Sequence, residues 1–437
     1  MAWAWTYLAV SVLGALFVLN AFRPVRNGLV VVQSFFAGWY TAEMPVWHIV
    51  WQAAATVVFA YLGAFGSWPG WLGLGVAVAS WVGLGVHAMV AQRAGTVFEA
   101  AESQVPLPAA PGVELPRSGR DTMWRFPRLI WPMPKPTRVV TSVRNIDYWG
   151  DGIHKHKLDV IRRRAHPPTG APVFVYIHGG AWMIGDKREQ GFPLLFELAR
   201  RGWVCVTINY RLSPRATWPD HIVDCKRALA WVKEHIGEYG GDPGFVAVSG
   251  GSAGGHLAAL VGLTAGDAAF QPGFEEADTA VDACVPIYGL YDMTAHGGGK
   301  TLHERGELEM FEKRIFKLRF AEHPEVFEAA SPLYRVRPDA PPFFVIHGRN
   351  DTLIPAADAR EFVARLRAVS TAPVLHAELP FTQHAFDVLP SVRSAHAVAS
   401  VVRFLEGVRH HLVSAATERD VPDPTVPEAE VAAPAIS

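Results

Sequence analysis

The chain has 437 residues, a formal net charge of −1 at pH 7 and a charged fraction of 19%. This balance gives no electrostatic basis for binding nucleic acid, and the length allows one domain of about 270 to 300 residues beside an apolar N-terminal region. Three cysteines in apolar surroundings, Cys205, Cys225 and Cys284, are too few for a disulfide framework and favour a reducing compartment.

Residues 1–92 have the composition of a membrane region. Arg23, Arg26 and Glu43 are their only charged side chains, which is far below what a soluble surface carries. The stretches 2–22, 45–65 and 71–91 are uncharged, and each has about the twenty residues that a bilayer-spanning helix needs. We therefore predict a helical transmembrane region of about three spans, with the lipid bilayer as a partner.

The number of spans determines on which side of the membrane the rest of the chain lies. Residues 28–42 are apolar but only about fifteen residues long, so we predict an interfacial or re-entrant segment and keep a fourth span as the alternative. With three spans, Arg23, Arg26 and Arg93 lie on one side, and the positive-inside rule makes that side the cytoplasm. With four spans, the following domain faces outward.

Residues 93–138 are rich in proline and arginine and predict a connector between the apolar region and the next domain. Its cations could meet anionic lipid headgroups, or it could be a solvated linker. Its apolar residues, among them Trp124 and Trp131, could also cap an active site. At the other end of the chain, residues 413–437 are rich in proline, glutamate and alanine and predict a disordered tail.

A glycine-rich loop follows the first strongly predicted strand. The apolar run Val173–Ile177 predicts a buried strand, and His178-Gly179-Gly180-Ala181-Trp182 comes directly after it. Backbone amides in such a loop can donate to a developing negative charge. We predict that the amides of Gly179 and Gly180, with that of Ala253, form an oxyanion hole and that His178 supports the loop; a plain glycine turn is the alternative.

A glycine-flanked serine provides the candidate nucleophile. The sequence Gly250-Gly251-Ser252-Ala253-Gly254 lies between a β-prone apolar run and a helix-compatible segment that extends to Leu263. A serine hydroxyl attacks a carbonyl only when it is presented on a sharp turn with small neighbours. This context predicts a strand, a nucleophile elbow at Ser252 and a helix.

The acid and the base of a serine hydrolase follow the nucleophile in the order Asp or Glu, then His. The run Phe343–His347 predicts a strand that puts Asp351 just past its end, and a further predicted strand, 373–379, puts His384 in the next loop. We predict that Asp351 orients His384, which accepts the proton of Ser252.

Other titratable residues compete for these roles. His347 is predicted to end a strand, and His256, one helical turn after Ser252, is expected to pack beneath the elbow. Asp387 is the chief alternative acid, but it follows the histidine in the chain. We find no histidine, cysteine and carboxylate pattern with zinc-like spacing and predict neither a metal nor a cofactor.

Residues 291–341 form a long insertion before the strand of the acid, where lids and acyl pockets are commonly built. Its segment 308–316 has apolar residues at helical spacing. A helix that packs on the domain is the favoured interpretation, and a mobile lid is the alternative.

These pieces together resemble a known family. Residues 139–408 look like an α/β-hydrolase, similar to the hormone-sensitive-lipase-like esterases and the membrane-associated carboxylesterases of actinobacteria. The matching motifs are HGGAW at 178–182, NYRLSP at 209–214, GGSAGGH at 250–256, HGRNDTLIP at 347–355 and QHAF at 383–386. The resemblance implies a mostly parallel sheet with helices on both faces, and ester hydrolysis with Ser252, Asp351 and His384 as the triad.

The chain departs from the family pattern at three positions. Ala181 stands where HGGG is frequent, Gly251 stands where GDSAG is frequent, and Arg215 replaces the acidic residue that often follows the YRLxP motif. These departures leave the triad intact and leave the substrate open.

The expected protein is a membrane-anchored serine carboxylesterase or lipase with a catalytic domain over residues 139–412. It would act on a small-molecule or lipid ester. An amidase or aryl-formamidase of the same fold is the first alternative, because related formamidases also carry HGG followed by an aromatic residue. A non-catalytic membrane scaffold is the second.

Overall fold

The computed structural model describes residues 1–26, 30–105, 107, 138–165, 168–294 and 306–419. Most of the predicted connector and the last 18 residues of the predicted tail, 420–437, lie outside these ranges. The five N-terminal helices are α1 (Ala2–Phe22), α2 (Val31–Glu43), α3 (Pro45–Tyr61), α4 (Trp68–Gln92) and α5 (Ala94–Ser103).

The N-terminal helices pack on one another, with α1 against α2, α3 and α4. Two helical stretches, Ala2–Phe22 and Trp68–Ser103, are long and apolar enough to cross a membrane. The predicted span 45–65 is shorter than expected: α3 ends at Tyr61, because Gly63 takes a left-handed conformation (φ +79°) and a 3₁₀ turn occupies Ala64–Gly66. The segment predicted over 28–42 overlaps the 13-residue helix α2, which ends one residue later at Glu43.

Eight strands form one sheet within the described residues. They are β1 (Val140–Asp147), β2 (Lys157–Arg163), β3 (Ala171–Ile177), β4 (Val204–Ile208), β5 (Gly241–Gly251), β6 (Ala283–Ile287), β7 (Phe343–Gly348) and β8 (Val374–Leu379). The order is β1-β2-β4-β3-β5-β6-β7-β8; β2 pairs antiparallel with β1 and β4, and the other neighbours are parallel. This is the mixed, mostly parallel sheet that the resemblance implies.

The other helices of the described ranges are α6 (Phe192–Arg200), α7 (Asp220–His235), α8 (Ala253–Leu263), α9 (Leu308–Met310), α10 (Pro324–Ala329), α11 (Ala356–Val369) and α12 (Val392–Arg419). A π-helical turn, Phe311–Phe316, continues α9.

Apolar side chains bury both faces of the sheet. One face is covered by α7, α8 and α11, and the other by α5, α6 and α12. Phe98 of α5 is fully buried, and its ring meets Phe344 of β7 edge-on at 6.2 Å between centroids. Part of the predicted connector therefore packs in the core against the sheet.

The favoured interpretation of the insertion agrees with the packing of its described part. Phe311, Ile315 and Phe316 are buried, and Phe311 meets Trp182 at 5.5 Å between ring centroids. The helical segment thus packs on the domain next to the glycine-rich loop.

Candidate active site

The parallel strands β3, β5, β7 and β8 end at the same edge of the sheet, and each is followed by a predicted site segment. Functional groups of open α/β sheets lie at this carboxyl edge. The edge brings together the glycine-rich loop after β3, the serine after β5, Asp351 after β7 and His384 after β8.

Ser252 lies at a sharp turn between β5 and α8. Its backbone has φ 59° and ψ −123°, a region that favours glycine, and its amide donates to the carbonyl of Ile287 at 3.0 Å. A Cβ atom at Gly254 would lie 2.1 Å from the carbonyl oxygen of Ile177, and one at Gly250 would lie 2.4 Å from that of Gly254. Both flanking glycines are therefore required by close backbone contacts.

Gly251, the departure from the frequent GDSAG pattern, faces an aromatic ring. A Cβ atom at this position would lie 2.7 Å from the hydroxyl oxygen of Tyr288 and 2.8 Å from a carbon of its ring. Tyr288 thus occupies the space that an aspartate at position 251 would need.

Asp351 and His384 are paired. The Nδ1 atom of His384 lies 2.6 Å from Oδ2 of Asp351, and the other carboxylate oxygen accepts the amides of Leu353 and Ile354 at 2.8 Å each. A proton on Nδ1 leaves Nε2 of His384 as the acceptor nitrogen, which is the tautomer a general base needs.

Asp351, the predicted acid, is held in its ionised form although it is buried. Burial alone would raise the pKa of Asp351, but His384 and His347 lower it well below its ordinary value. His347 has its Nε2 atom 3.3 Å from the same carboxylate oxygen and 2.9 Å from the carbonyl of Ile354. His347 therefore lies behind the acid and not where a base would stand.

Asp387 makes a different contact from the one that a triad acid makes. The hydroxyl of Tyr288 donates to its carboxylate, and burial raises the pKa of that carboxyl group. The ring of Tyr288 in turn lies 4.5 Å from the imidazole of His384, centroid to centroid. Asp387 thus reaches the histidine through the tyrosine, while Asp351 bonds to it directly.

The glycine-rich loop is curled next to Ser252. A Cβ atom at Gly179 would lie 3.1 Å from Cβ of Ser252, and the next three residues, Gly180, Ala181 and Trp182, all have positive φ. His178 is buried beneath the loop: its Nδ1 lies 2.7 Å from the carbonyl of Gly179, and its ring stacks on Tyr210 at 4.5 Å between centroids. This packing agrees with a supporting role for His178.

The three predicted oxyanion donors differ in their partners. The amide of Gly179 donates to Oε1 of Gln190 at 2.8 Å, so a bound oxyanion would have to compete with that side chain. Ala253 is the first residue of α8, and the amides of a first helical turn have no partner within the helix. Gln190, eleven residues from the motif, carries no recognisable local signal.

His256 packs beneath the elbow. Trp182 Nε1 lies 3.3 Å from its Nδ1, and its Nε2 lies 2.7 Å from the carbonyl of Ala330. Burial lowers the pKa of His256 to about 3, so the ring is neutral and both nitrogens are in use. It has no free nitrogen with which to act as a base.

Gln383 was not predicted as a site residue. Its Oε1 atom accepts the amide of Thr352 at 2.8 Å and that of His384 at 2.9 Å, so it ties the loop of the acid to the loop of the base. Its position next to His384 in the QHAF motif is the one sequence signal that could have identified it. Among the described residues, no group of three metal-ligating side chains is found.

The chain is similar to known esterases over most of its length. LipM of Mycobacterium tuberculosis, a probable carboxylic ester hydrolase, is 43% identical over 412 residues, 92% of this chain and 93% of LipM. Esterase LipQ of the same organism is 41% identical over 90% of each chain. Residues 158–366 match the model of the BD-FAE family.

Among solved structures, esterase B of Lactobacillus rhamnosis superposes with a TM-score of 0.54 at 19% identity, covering 65% of this chain and 92% of that chain. This likeness supports the fold. Together with the two full-length relatives, it means that the chain belongs to the family of carboxylic ester hydrolases that contains LipM and LipQ and is built on an α/β-hydrolase fold.

Proposed function

We propose that this esterase is a membrane-associated serine carboxylesterase that forms an acyl-enzyme on Ser252. The observation that carries the proposal is the 2.6 Å contact between His384 and Asp351 at the sheet edge where Ser252 stands on its strained turn. Nucleophile, base and orienting acid in this chain order are the parts that acyl transfer needs.

In this mechanism, the hydroxyl of Ser252 attacks the ester carbonyl and His384 Nε2 takes its proton. The backbone amides of Gly179, Gly180 and Ala253 are the donors that stabilise the negative charge on the tetrahedral intermediate. Only the amide of Gly179 would first have to give up its hydrogen bond to Gln190. His384 returns the proton to the leaving alcohol, and a water molecule then releases the acid by the same route. Asp351 stays ionised and stabilises the imidazolium.

Membrane association is supported by how the long helices are arranged. At one end, Trp5 meets Trp68 at 5.3 Å and Tyr7 meets Phe65 at 5.7 Å between ring centroids. At the other end, Phe22 meets Phe381 of the catalytic domain at 5.5 Å. α1 and α4 therefore run between a distant aromatic end and the hydrolase, where His87 of α4 also meets Phe381 at 6.2 Å, and α3 packs against both helices. The lengths of α1, α3 and α4 are about 31, 25 and 37 Å at 1.5 Å per residue.

Helix α2 is the shortest of the four helices α1 to α4: its 13 residues span about 20 Å, against about 25 Å for α3 and a hydrocarbon core of about 30 Å. It packs against the end of α1, where Nδ2 of Asn20 donates to the carbonyl of Ser34, and against the hydrolase, where Trp39 donates to the carbonyl of Ala385. This supports three spans, with the hydrolase in the cytoplasm next to Arg23 and Arg26. An ester that partitions into the bilayer would suit this location.

The test is a chain-length series of p-nitrophenyl esters, with an aryl-formamide in parallel, on the detergent-solubilised protein. Ser252→Ala should lose ester turnover by about 10⁴- to 10⁶-fold, as expected when a triad nucleophile is removed. Ser249→Ala is the matched control: this buried serine lies in β5 and donates to the carbonyl of Val285 at 2.6 Å. It should retain turnover.

Full turnover in Ser252→Ala would refute the acyl-enzyme. Turnover of the formamide alone would assign the protein to an amidase branch, and turnover of neither substrate by the wild type would favour a non-catalytic scaffold.

A further inference from the structure

The end of α1 is held by the loop that carries the acid. The side-chain amide of Asn350 donates to the carbonyls of Ala21 and Phe22, 3.1 Å away in each case. The last carbonyls of a helix have no partner within it, so Asn350 caps α1. Arg26, just after the helix, donates to the carbonyl of Arg349 at 2.9 Å. Both contacts fix the two residues that immediately precede Asp351.

α2 is held by the loop that carries the base. The indole nitrogen of Trp39 donates to the carbonyl of Ala385 at 2.8 Å, and Phe35 meets the imidazole of His384 edge-on at 6.1 Å between centroids. Ala385 has φ +59°, a conformation that costs free energy in a residue with a side chain. The hydrogen bond from Trp39 stabilises that conformation one residue beyond His384.

The two loops and the two helices meet at Gln383, whose Oε1 atom bridges the loops. Its Nε2 atom points toward α2, where a Cβ atom at Gly38 would lie 3.5 Å away. The same Cβ would lie 3.1 Å from Nδ2 of Asn20 of α1. Gly38 thus lets α2 pack closely on both.

A buried ion pair holds the far end of α2. Arg393 of α12 lies 3.0 Å from a carboxylate oxygen of Glu43 and also donates to the carbonyl of Ala42 at 2.9 Å. Both side chains are at most 1% exposed. Two of the three charged side chains in residues 1–92, Arg26 and Glu43, are therefore used to bind the catalytic domain.

We infer that α1 and α2 are a positioning element of the active site and not only a tether. Trp39 sets the loop of His384 through Ala385, and Asn350 sets the loop of Asp351 through the end of α1. A tether would need no contact with these loops. The inference rests on the proposed triad and adds two positioning residues to it.

The experiment compares Trp39→Phe with Trp71→Phe in the full-length protein in detergent. Each change removes one indole donor and keeps an aromatic ring; Trp71 donates to the carbonyl of Phe65 at 3.0 Å, at the end away from the hydrolase. Trp39→Phe should lower kcat for a p-nitrophenyl ester about tenfold or more, with KM within about twofold, because small misplacements of a catalytic group reduce turnover strongly. Trp71→Phe should leave both constants near the wild-type values.

Asn350→Leu keeps the size of the side chain and removes its hydrogen-bond donor, and it tests the loop of Asp351 in the same way. It should also lower kcat with little change in KM. A purely structural role predicts the opposite pattern: lower thermal stability with unchanged kcat in the folded fraction. Unchanged kcat in both Trp39→Phe and Asn350→Leu would overturn the inference. The proposed triad would still stand in that case, because its own test is the loss of turnover in Ser252→Ala.

Discussion

Asp351 receives hydrogen bonds on both carboxylate oxygens, and its neighbour Asp387 is buried against a tyrosine. The two carboxyl groups reach His384 differently, Asp351 in direct contact and Asp387 through Tyr288. Their pKa values are shifted in opposite directions, downward for Asp351 and upward for Asp387. Only a carboxylate that remains charged can stabilise an imidazolium in the transition state.

This difference predicts unequal effects of two matched substitutions. Asp351→Asn should reduce kcat by about 10⁴-fold, because an amide leaves the imidazole in the wrong tautomer. Asp387→Asn keeps an acceptor for Tyr288 and should change kcat by no more than a few fold. Steady-state kinetics on both variants, normalised to folded protein by thermal unfolding, checks the assignment. A larger loss in Asp387→Asn than in Asp351→Asn would reverse it.

For individual residues, the sequence predicts the site features that depend on short local motifs. The elbow at Ser252 and the chain order of Asp351 and His384 depend on short motifs next to apolar strands. Gln190 and Tyr288 act across loops that only the fold brings together, and neither residue lies in a distinctive local pattern; for Gln383 the only local signal is its place beside His384 in the QHAF motif. For the same reason, the sequence does not predict that the amide of Gly179 donates to Gln190.

Among the secondary-structure elements, the positions of strands and helices are easier to predict from the sequence than the contacts between helices and distant loops. The predicted strand 343–347 is observed as Phe343–Gly348, and the helix predicted after Ser252 and extending to Leu263 is observed as Ala253–Leu263. Short buried runs between glycines and prolines define such strands. The contact of α2 with the loop of His384 joins residues about 350 apart, and nothing in its apolar composition indicates a partner at that distance.

The ion pair between α2 and α12 gives a prediction at the same scale. Arg393→Met should destabilise the protein by about 3–5 kcal/mol, because it leaves the carboxylate of Glu43 buried without its cation. The double variant Glu43→Leu/Arg393→Met removes both charges and should recover most of that loss. Thermal unfolding in detergent measures the difference. A double variant as unstable as Arg393→Met would mean that the packing of Arg393, and not its charge, is what matters.

For the molecule as a whole, the helical region and the hydrolase share one packed structure. α5 contributes Phe98 to the core, Glu43 and Arg26 bind the catalytic domain, and α1 and α2 contact the loops of the acid and the base. Composition alone predicted an apolar region and a separate domain. Their joint packing depends on side chains from both parts and could not be derived from either.

The proposed three-span arrangement predicts opposite sides of the membrane for the N-terminus and the hydrolase. Single cysteines introduced at Ala2 and at Glu234, which is 76% exposed on α7, should respond differently to a membrane-impermeant maleimide in intact cells. Ala2→Cys should be labelled, and Glu234→Cys should be labelled only after permeabilisation. The native cysteines are buried, so the background is low. Labelling of both positions from the same side would favour four spans.

The close contact between positions 251 and 288 constrains the order in which substitutions at these two positions can occur. A side chain introduced at Gly251 meets the ring of Tyr288 at less than 3 Å, and a close-packed interior does not absorb such an overlap without a shift. Replacement of the tyrosine by a smaller residue has to come first, and only then does position 251 accept an aspartate. The two sites form an ordered pair, so a descendant with a GDSAG elbow is expected to have lost the aromatic ring at 288 before it gained the acid.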